Sequence, residues 1–472
     1  MRRSITHARP PLEFIPPDYN PLVLRGVRSL IPFWLRWRLG IVRIEDTHSE
    51  TLAKLFQQFQ DGKVRFLLAF RHPTNFDPLC LVQYLWNRLP HVARQQGIGV
   101  KQPTHLHFIY DRGIPLWAGP LVGWGIAHLG ATPIRRGSLD TAGLRSIRDL
   151  FANGMFPMAA APEGATNGHN EIVSPMEPGI AQFGFWCVED LQKEHRDETV
   201  LLVPLGIQYR YIEAPWRSLE RTMSRIEVAS GLVSPTDAKA TALGLQNGVD
   251  PSPEQETILY QRLYRLGEHF LSLMEEFYGK YYQMDLRKAV TGDDATDQPN
   301  STLAARLQAL LDAALTVAEQ SFGLKAKGSL TDRCRRVEQA GWDRVYRHDL
   351  KQPDALSPVS RGLADLVAEE ADLRVWHMRL VENFVSVTGK YVAEKPTAER
   401  FADTILLLWK MVAQIKGKSS SDNPKLGTRV AHLTVGEPLN VTERWPLYQS
   451  KRRQAIADLT QDLQTAMESL IL

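Results

Sequence analysis

The sequence predicts an α/β protein in which a mixed sheet flanked by helices is interrupted, before its last strand, by a large all-helical insertion. Three observations carry this. Between Ile41 and Tyr211, short apolar runs alternate with amphipathic stretches, the texture of strands and helices packed in layers. From 212 to 427 the periodicity is helical. At Thr428–Val441 (TRVAHLTVGEPLNV) strand character returns; a lone strand cannot stay unpaired beside helices, so this one is expected to rejoin the earlier sheet. The 472 residues, more than one core usually serves, then divide into an N-terminal segment (1–45), an α/β core (46–211), the helical insertion (212–427) and a closing strand and helix (428–472).

The first element is a helix within Tyr19–Arg43, where Leu24, Val27, Leu30, Ile31, Leu35 and Leu39 fall near helical spacing among Phe33, Trp34 and Trp37. Five arginines and no acid lie between Asp18 and Glu45, too many charges for a membrane span but suited to a helix lying in a lipid interface. An amphipathic helix covering the protein's own core is the other reading. A short strand at Ile41–Ile44 and a helix at Glu50–Phe59 follow. Val64–Phe70 (VRFLLAF) is nearly continuous apolar, as in strands buried on both faces. Further strands are expected at Thr104–Tyr110, Thr132–Arg135, Phe156–Ala161 and Val200–Gln208, with helices at Pro78–Leu89, Leu139–Ala152 and Ile180–Gln192. The insertion reads as helices at Glu254–Asp285, Thr302–Phe322, Ser329–Arg347, Pro358–Thr388 and Thr397–Lys416, with a polar connector at Thr291–Asn300. A helix at Tyr448–Leu470 closes the chain.

Composition removes several classes of protein. With 43% hydrophobic and 23% charged residues, the chain is too apolar for disorder and too charged for a polytopic membrane protein. A net charge of +3 gives no case for a nucleic-acid partner. Cys80, Cys187 and Cys334 lie far apart without CxxC or Cys/His pairing, which argues against a disulfide framework or structural zinc and fits a reducing compartment. His105 and His107 share one strand face, yet no carboxylate or cysteine joins them at ligand spacing, so no metal is expected. The N-terminus lacks the apolar region and cleavage site of a secretory signal, so the cytoplasmic side is expected. Gly113–Ile134 runs 22 residues without Asp, Glu, Lys or Arg, but its five glycines and three prolines favour a short apolar helix packed on the sheet or lining a groove over shallow membrane insertion or a true span.

Four short motifs stand at predicted strand ends, where α/β sheets place their sites. The first is Arg71-His72-Pro73-Thr74-Asn75-Phe76-Asp77. The second is Gly130-Ala131-Thr132-Pro133-Ile134-Arg135-Arg136. The third is Ala161-Pro162-Glu163-Gly164-Ala165-Thr166-Asn167, and the fourth Val203-Pro204-Leu205-Gly206. Any one alone carries little weight; their order is the specific signal.

That ordered set resembles the glycerolipid acyltransferases typified by 1-acylglycerol-3-phosphate acyltransferase, with their H-x4-D, G-x-x-F-I-x-R, F-P-E-G-T-R-S and V-P-V-like blocks. The resemblance covers Ile41–Tyr211 and resumes at Val430–Leu470, where Val435-Gly436-Glu437-Pro438-Leu439 is similar to the family's late V-x-I-G-E-P-I strand. It leaves the helical stretch unexplained. It implies a glycerol-3-phosphate acyltransferase-like core and transfer of a fatty acyl group from a thioester co-substrate, acyl-CoA or acyl carrier protein, to a glycerolipid hydroxyl in phospholipid biosynthesis. Lysophosphatidate is the first acceptor to consider, followed by glycerol 3-phosphate or another lysolipid. A membrane lipid surface becomes a partner, and a peripheral membrane location the expectation.

By position His72 and Asp77 match the catalytic block, Gly130 and Arg136 the second, and Pro162, Glu163 and Gly164 the third. Neutral His72 would take the acceptor's hydroxyl proton, with Asp77 fixing the tautomer and stabilising the imidazolium. That chemistry calls for no cofactor beyond the thioester. Arg136, beside Arg135, offers a guanidinium fork suited to a phosphate monoester, or is a solvated strand end. Glu163 would help bind the acceptor or order the site, and Gly164 would let backbone amides approach a ligand.

Two departures stand out. Ala161, Ala165, Thr166 and Asn167 replace family residues in the third block, so its arginine is missing, and Pro133 stands where the second block prefers phenylalanine. Arg135, His169 and Arg210 are candidates to compensate. Two further readings follow: a catalytically weak membrane-surface binding protein keeping the fold, and a hydrolase with water in the acceptor's place, though no G-x-S-x-G elbow is present. The insertion could shield the acyl groove, bind an acyl carrier protein or contact another partner.

Overall fold

The structure, a computed structural model, describes residues 6–135, 140–286, 299–350, 356–418 and 423–471. Arg136 and most of the connector 291–300 lie outside the described residues. Two compact units share the chain: an α/β unit of Glu13–Thr166, Asn170–Ile212 and Thr428–Leu472, and a helical unit of Met1–Leu12, Asn167–His169 and Glu213–Gly427. Residues 6–12 thus belong to the helical unit, and the basic N-terminal helix to the other.

The α/β unit begins with α1 (Pro21–Leu39), β1 (Ile41–Thr47), α2 (Ser49–Gln60) and β2 (Val64–Phe70). Next come α3 (Asp77–Gln83), a π-helical turn (Tyr84–Arg88), α4 (Leu89–Gln95), β3 (His107–Asp111), α5 (Ile114–Ala118), α6 (Pro120–His128) and β4 (Thr132–Ile134). It continues through α7 (Thr141–Asn153), β5 (Met158–Ala160), α8 (Pro178–Lys193) and β6 (Thr199–Tyr211). The helical unit holds α9 (Trp216–Ala229), α10 (Pro235–Ala240), α11 (Pro253–Tyr282), α12 (Pro299–Phe322), α13 (Leu330–Val345), α14 (Pro358–Glu382), α15 (Tyr391–Glu394) and α16 (Ala398–Ile415). The chain then returns as β7 (Arg429–Val435), β8 (Leu439–Asn440), α17 (Trp445–Ser450) and α18 (Arg452–Ser469).

Among the described residues the sheet has eight strands in the order β1-β7-β6-β2-β5-β3-β4, with β8 on β6. β6, β2, β5, β3 and β4 are parallel, whereas β7 is antiparallel to β6 and parallel to β1, so the sheet is mixed. The late strand sits inside the sheet, with Leu433 opposite Ile207 and Val435 opposite Leu205. Alternation along β2 explains its continuous apolar run. Phe66, Leu68 and Phe70 face the layer of α1 to α4, and Leu67 and Ala69 face α7, α8 and α18. Burying each large side chain contributes about 1.5–3 kcal/mol.

The helix expected at Pro78–Leu89 is observed as three pieces, and Pro90 gives the reason. It has no N–H for the carbonyl of Trp86, and the Leu89 N–H reaches back five residues to the Tyr84 carbonyl. Arg28 of α1 satisfies the Trp86 carbonyl instead, its Nη2 donating at 2.7 Å. In the helical unit, reciprocal capping boxes at Ser252/Gln255 and Ser329/Asp332 set the starts of α11 and α13. That unit also encloses an apolar cavity of about 160 Å³ bordered by Leu263, Leu307, Leu311, Leu407 and Met411.

Candidate functional site

The parallel strands β2, β5, β3 and β4 all end on one side of the sheet, which gathers the residues following them: His72, Glu163, Arg112 and Arg135. His72 continues the even-numbered face of β2, its ring edge-on to Phe70 at 5.9 Å. Its Nδ1 lies 3.0 Å from Asp77 Oδ2. Asp77 opens α3 and is fully buried, whereas the His72 side chain is 20% exposed. Donors surround the carboxylate on both oxygens. Oδ2 also accepts the Thr74 N–H at 2.8 Å; Oδ1 accepts Thr74 Oγ1 at 2.7 Å and the Tyr209 hydroxyl. Burial, and then the neighbouring Asp77, push the Tyr209 phenol well above its ordinary range, so it remains a donor. With every other neighbour donating to Asp77, the tautomer of a neutral His72 ring that fits is the one with its proton on Nδ1 and a lone pair at Nε2. Among the described residues nothing occupies that nitrogen.

Glu163 stands behind this pair. Its carboxylate is fully buried; Oε1 accepts the His72 backbone N–H at 2.9 Å and Oε2 accepts the Ser174 N–H at 2.9 Å. Arg71, also fully buried, has Nε 3.5 Å from Glu163 Oε1, while its Nη1 and Nη2 donate to the carbonyls of Asn170 and Ile172. Together they tie the turn carrying His72 to the segment after β5. Gly164 adopts φ +73°, but its N–H is turned inward to the Ala161 carbonyl. Its amide therefore closes the turn.

The second motif is organised by Asp140, the N-cap of α7. It accepts the Gly143 N–H at 3.1 Å, the Arg135 N–H at 2.8 Å and the Arg112 guanidinium. Arg135 thus stands at the same sheet end as His72, three strand spacings away, about 14 Å. Gly130 adopts φ +76° and its carbonyl accepts His107 Nδ1 at 2.7 Å. An added Cβ would sit 3.1 Å from that nitrogen, so glycine serves the turn here. Arg210 is exposed on β6, and His169 is buried in the helical unit, edge-on to Tyr391.

His105 precedes β3 instead of lying on it. Its Nε2 donates to the Leu129 carbonyl at 2.8 Å and its Nδ1 accepts Trp86 Nε1 at 3.3 Å. His107 Nε2 accepts the Phe156 N–H at 3.3 Å. Burial pushes His105 down to about 4 and lowers His107 as well, so both are neutral with each ring nitrogen taken by the protein. Cys80 is likewise held as a thiol, burial pushing it up to about 12.

The N-terminal helix is apolar on two sides. Leu24, Ile31 and Leu35 are buried in the core, while Leu22, Leu30, Phe33 and Trp37 form an exposed stripe, Trp37 at 75%. On α6, Leu121 is 82% exposed, with Trp124 also exposed. No helix among the described residues is long and apolar enough to cross a membrane.

Of the residues singled out in the sequence, His72, Asp77 and Glu163 are brought together, and they are joined by Arg71, Thr74 and Tyr209, to which the sequence reading gave no role; Arg112 likewise joins Arg135 at Asp140. Arg71 and Thr74 flank the histidine in the motif, yet nothing in the sequence marks an arginine as fully buried. Tyr209 reads as an ordinary core residue of β6. No protein-family model, no curated protein and no solved structure matches this chain.

Proposed function

We propose that the protein is an O-acyltransferase of the glycerolipid type, moving a fatty acyl group from a thioester carrier to a glycerolipid hydroxyl at a membrane surface. The observation that carries this is His72: Nδ1 fixed by a buried carboxylate, Nε2 without a partner among the described residues, at the parallel strand ends of a mixed sheet. The order of the four motifs supplies the substrate class. Nε2 takes the acceptor's hydroxyl proton as that oxygen forms a bond to the thioester carbonyl carbon. The resulting oxyanion collapses, the C–S bond breaks, and the thiol leaves with the proton returned from Nε2. Asp77 stabilises the imidazolium between these steps.

Glu163 and Arg71 act as positioning residues, holding the His72 backbone from behind. Arg135, with Arg136 beside it in the sequence, is assigned to the acceptor's phosphate. Lysophosphatidate is the first acceptor, and glycerol 3-phosphate or another lysolipid the alternative. The exposed stripe of α1, rimmed by arginines, and Leu121 and Trp124 of α6 suit a peripheral protein resting on the cytoplasmic side of an anionic lipid surface.

Purified protein assayed with acyl-CoA and acyl carrier protein thioesters on lysophosphatidate, glycerol 3-phosphate and their dephosphorylated forms tests the reading. Transfer to a phosphorylated acceptor is expected. Thioester hydrolysis with no acyl product on any hydroxyl would sink it. Equal activity on dephosphorylated acceptors would remove Arg135 and Arg136 from their role.

A further inference from the structure

The helical unit sorts its charges. On α9 (WRSLERTMSRIEVA) the two carboxylates, Glu220 and Glu227, are buried, and Arg262 of α11 pairs with both at 3.3 and 2.6 Å. Glu220 also accepts the Leu243 N–H. The arginines of the same helix do the reverse. Arg217, Arg221 and Arg225 are exposed and four residues apart, a row of two turns, about 12 Å long. Lys239 of α10, with Lys416 and Lys418 beyond the end of α16, are exposed on the same groove, whose volume is about 1300 Å³. None of the six cations pairs with a carboxylate among the described residues. Glu220 also borders the groove, with its charge already met by Arg262.

The floor between the cations is apolar, formed by the half-buried Val228, Val412 and the ring of Trp409, on which the Arg225 guanidinium stacks at 4.7 Å. Six like charges around a concavity create a field that an anionic partner relieves. The groove exceeds the roughly 300–1,000 Å³ of small-molecule sites. Its concave shape does not fit the plane of a bilayer, and a nucleic-acid backbone would leave the apolar floor unmatched. An acidic amphipathic helix meets both features, carboxylates to the rim and apolar face to the floor.

We propose that this groove docks an acidic amphipathic helix, and that the helix belongs to the protein carrier presenting the acyl thioester. The second half rests on the acyl-transfer reading; the first rests on the groove alone.

The test uses the full chain and acyl-loaded acyl carrier protein as probe, with binding followed by fluorescence anisotropy at low and high salt. The charge reversal Arg217→Glu/Arg221→Glu/Arg225→Glu is expected to weaken binding about 100-fold with its melting curve unchanged, while Arg→Lys at the same positions retains it. Lys416→Glu/Lys418→Glu provides a second reversal on a different element. In transfer assays both reversals should raise KM for the carrier-bound donor and leave KM for acyl-CoA unchanged. Carrier binding indifferent to both reversals, or reversals that abolish binding to anionic vesicles but not to the carrier, would overturn the proposal. Charge-dependent carrier binding without transfer to any hydroxyl would sink the acyl-transfer reading and leave the groove standing. Transfer from the carrier undiminished by both reversals would do the opposite.

Discussion

Two histidine clusters of the α/β unit are treated in opposite ways. Around β3, His105 and His107 each have both ring nitrogens bonded to protein groups and lie in surroundings dry enough to hold them neutral. At the exit of β2, His72 has one nitrogen fixed by Asp77 and the other without a partner among the described residues, on a side chain that solvent still reaches. A histidine closed on both sides is structure. One closed on a single side, by a carboxylate that is itself saturated with donors, is prepared to move a proton.

The comparison breaks most readily at Asp77. Asp77→Asn keeps the volume but presents an amide that can favour the wrong tautomer of His72, and transfer is expected to fall by about 10³-fold. A rate within a factor of two of the unaltered protein would mean that the tautomer is set elsewhere.

The closed cluster has its own test in pH. Burial holds His105 and, in the helical unit, His377 down to about 4, against about 6.5 for an unfolded histidine. Each therefore contributes stability that is intact above the unfolded value and is lost as pH falls toward 4, about 3 kcal/mol apiece at the acid end. Urea midpoints should fall steadily between pH ~7 and ~4.5. A flat midpoint over that window would contradict the dry, neutral assignment.

Glu163→Gln sharpens the open cluster. Its oxygen can still accept one backbone N–H, but its NH₂ cannot accept the other, so His72 or Ser174 loses a partner. A stability cost of about 1–3 kcal/mol and a kcat loss of about tenfold with KM little changed are expected. A change in KM alone would make Glu163 a substrate contact instead. The smallest effect belongs to Tyr209→Phe, which removes one of four donors to Asp77. Roughly 1 kcal/mol of stability should be lost in denaturant melts, with the transfer rate near that of the unaltered protein.

Much of the frame was legible because it rests on local patterns. β2 shows as an apolar run, and the strand at Arg429–Val435 by its return after long helical periodicity. The carboxylate–histidine pair was legible because it spans one turn. What escaped depends on distant residues meeting. Tyr209 reaches Asp77 from 132 positions away, and Arg71 braces carbonyls 99 and 101 positions on. The break of the helix after α3 needed both Pro90 and an arginine from α1. The charge sorting on α9 was hidden because only the pairing with Arg262 separates buried acids from exposed bases.

The central claim is that His72 Nε2 is the base. Acyl transfer from a thioester to lysophosphatidate should fall about 10⁴-fold in His72→Ala, with the melting curve preserved. Transfer undiminished in that variant would contradict the account outright.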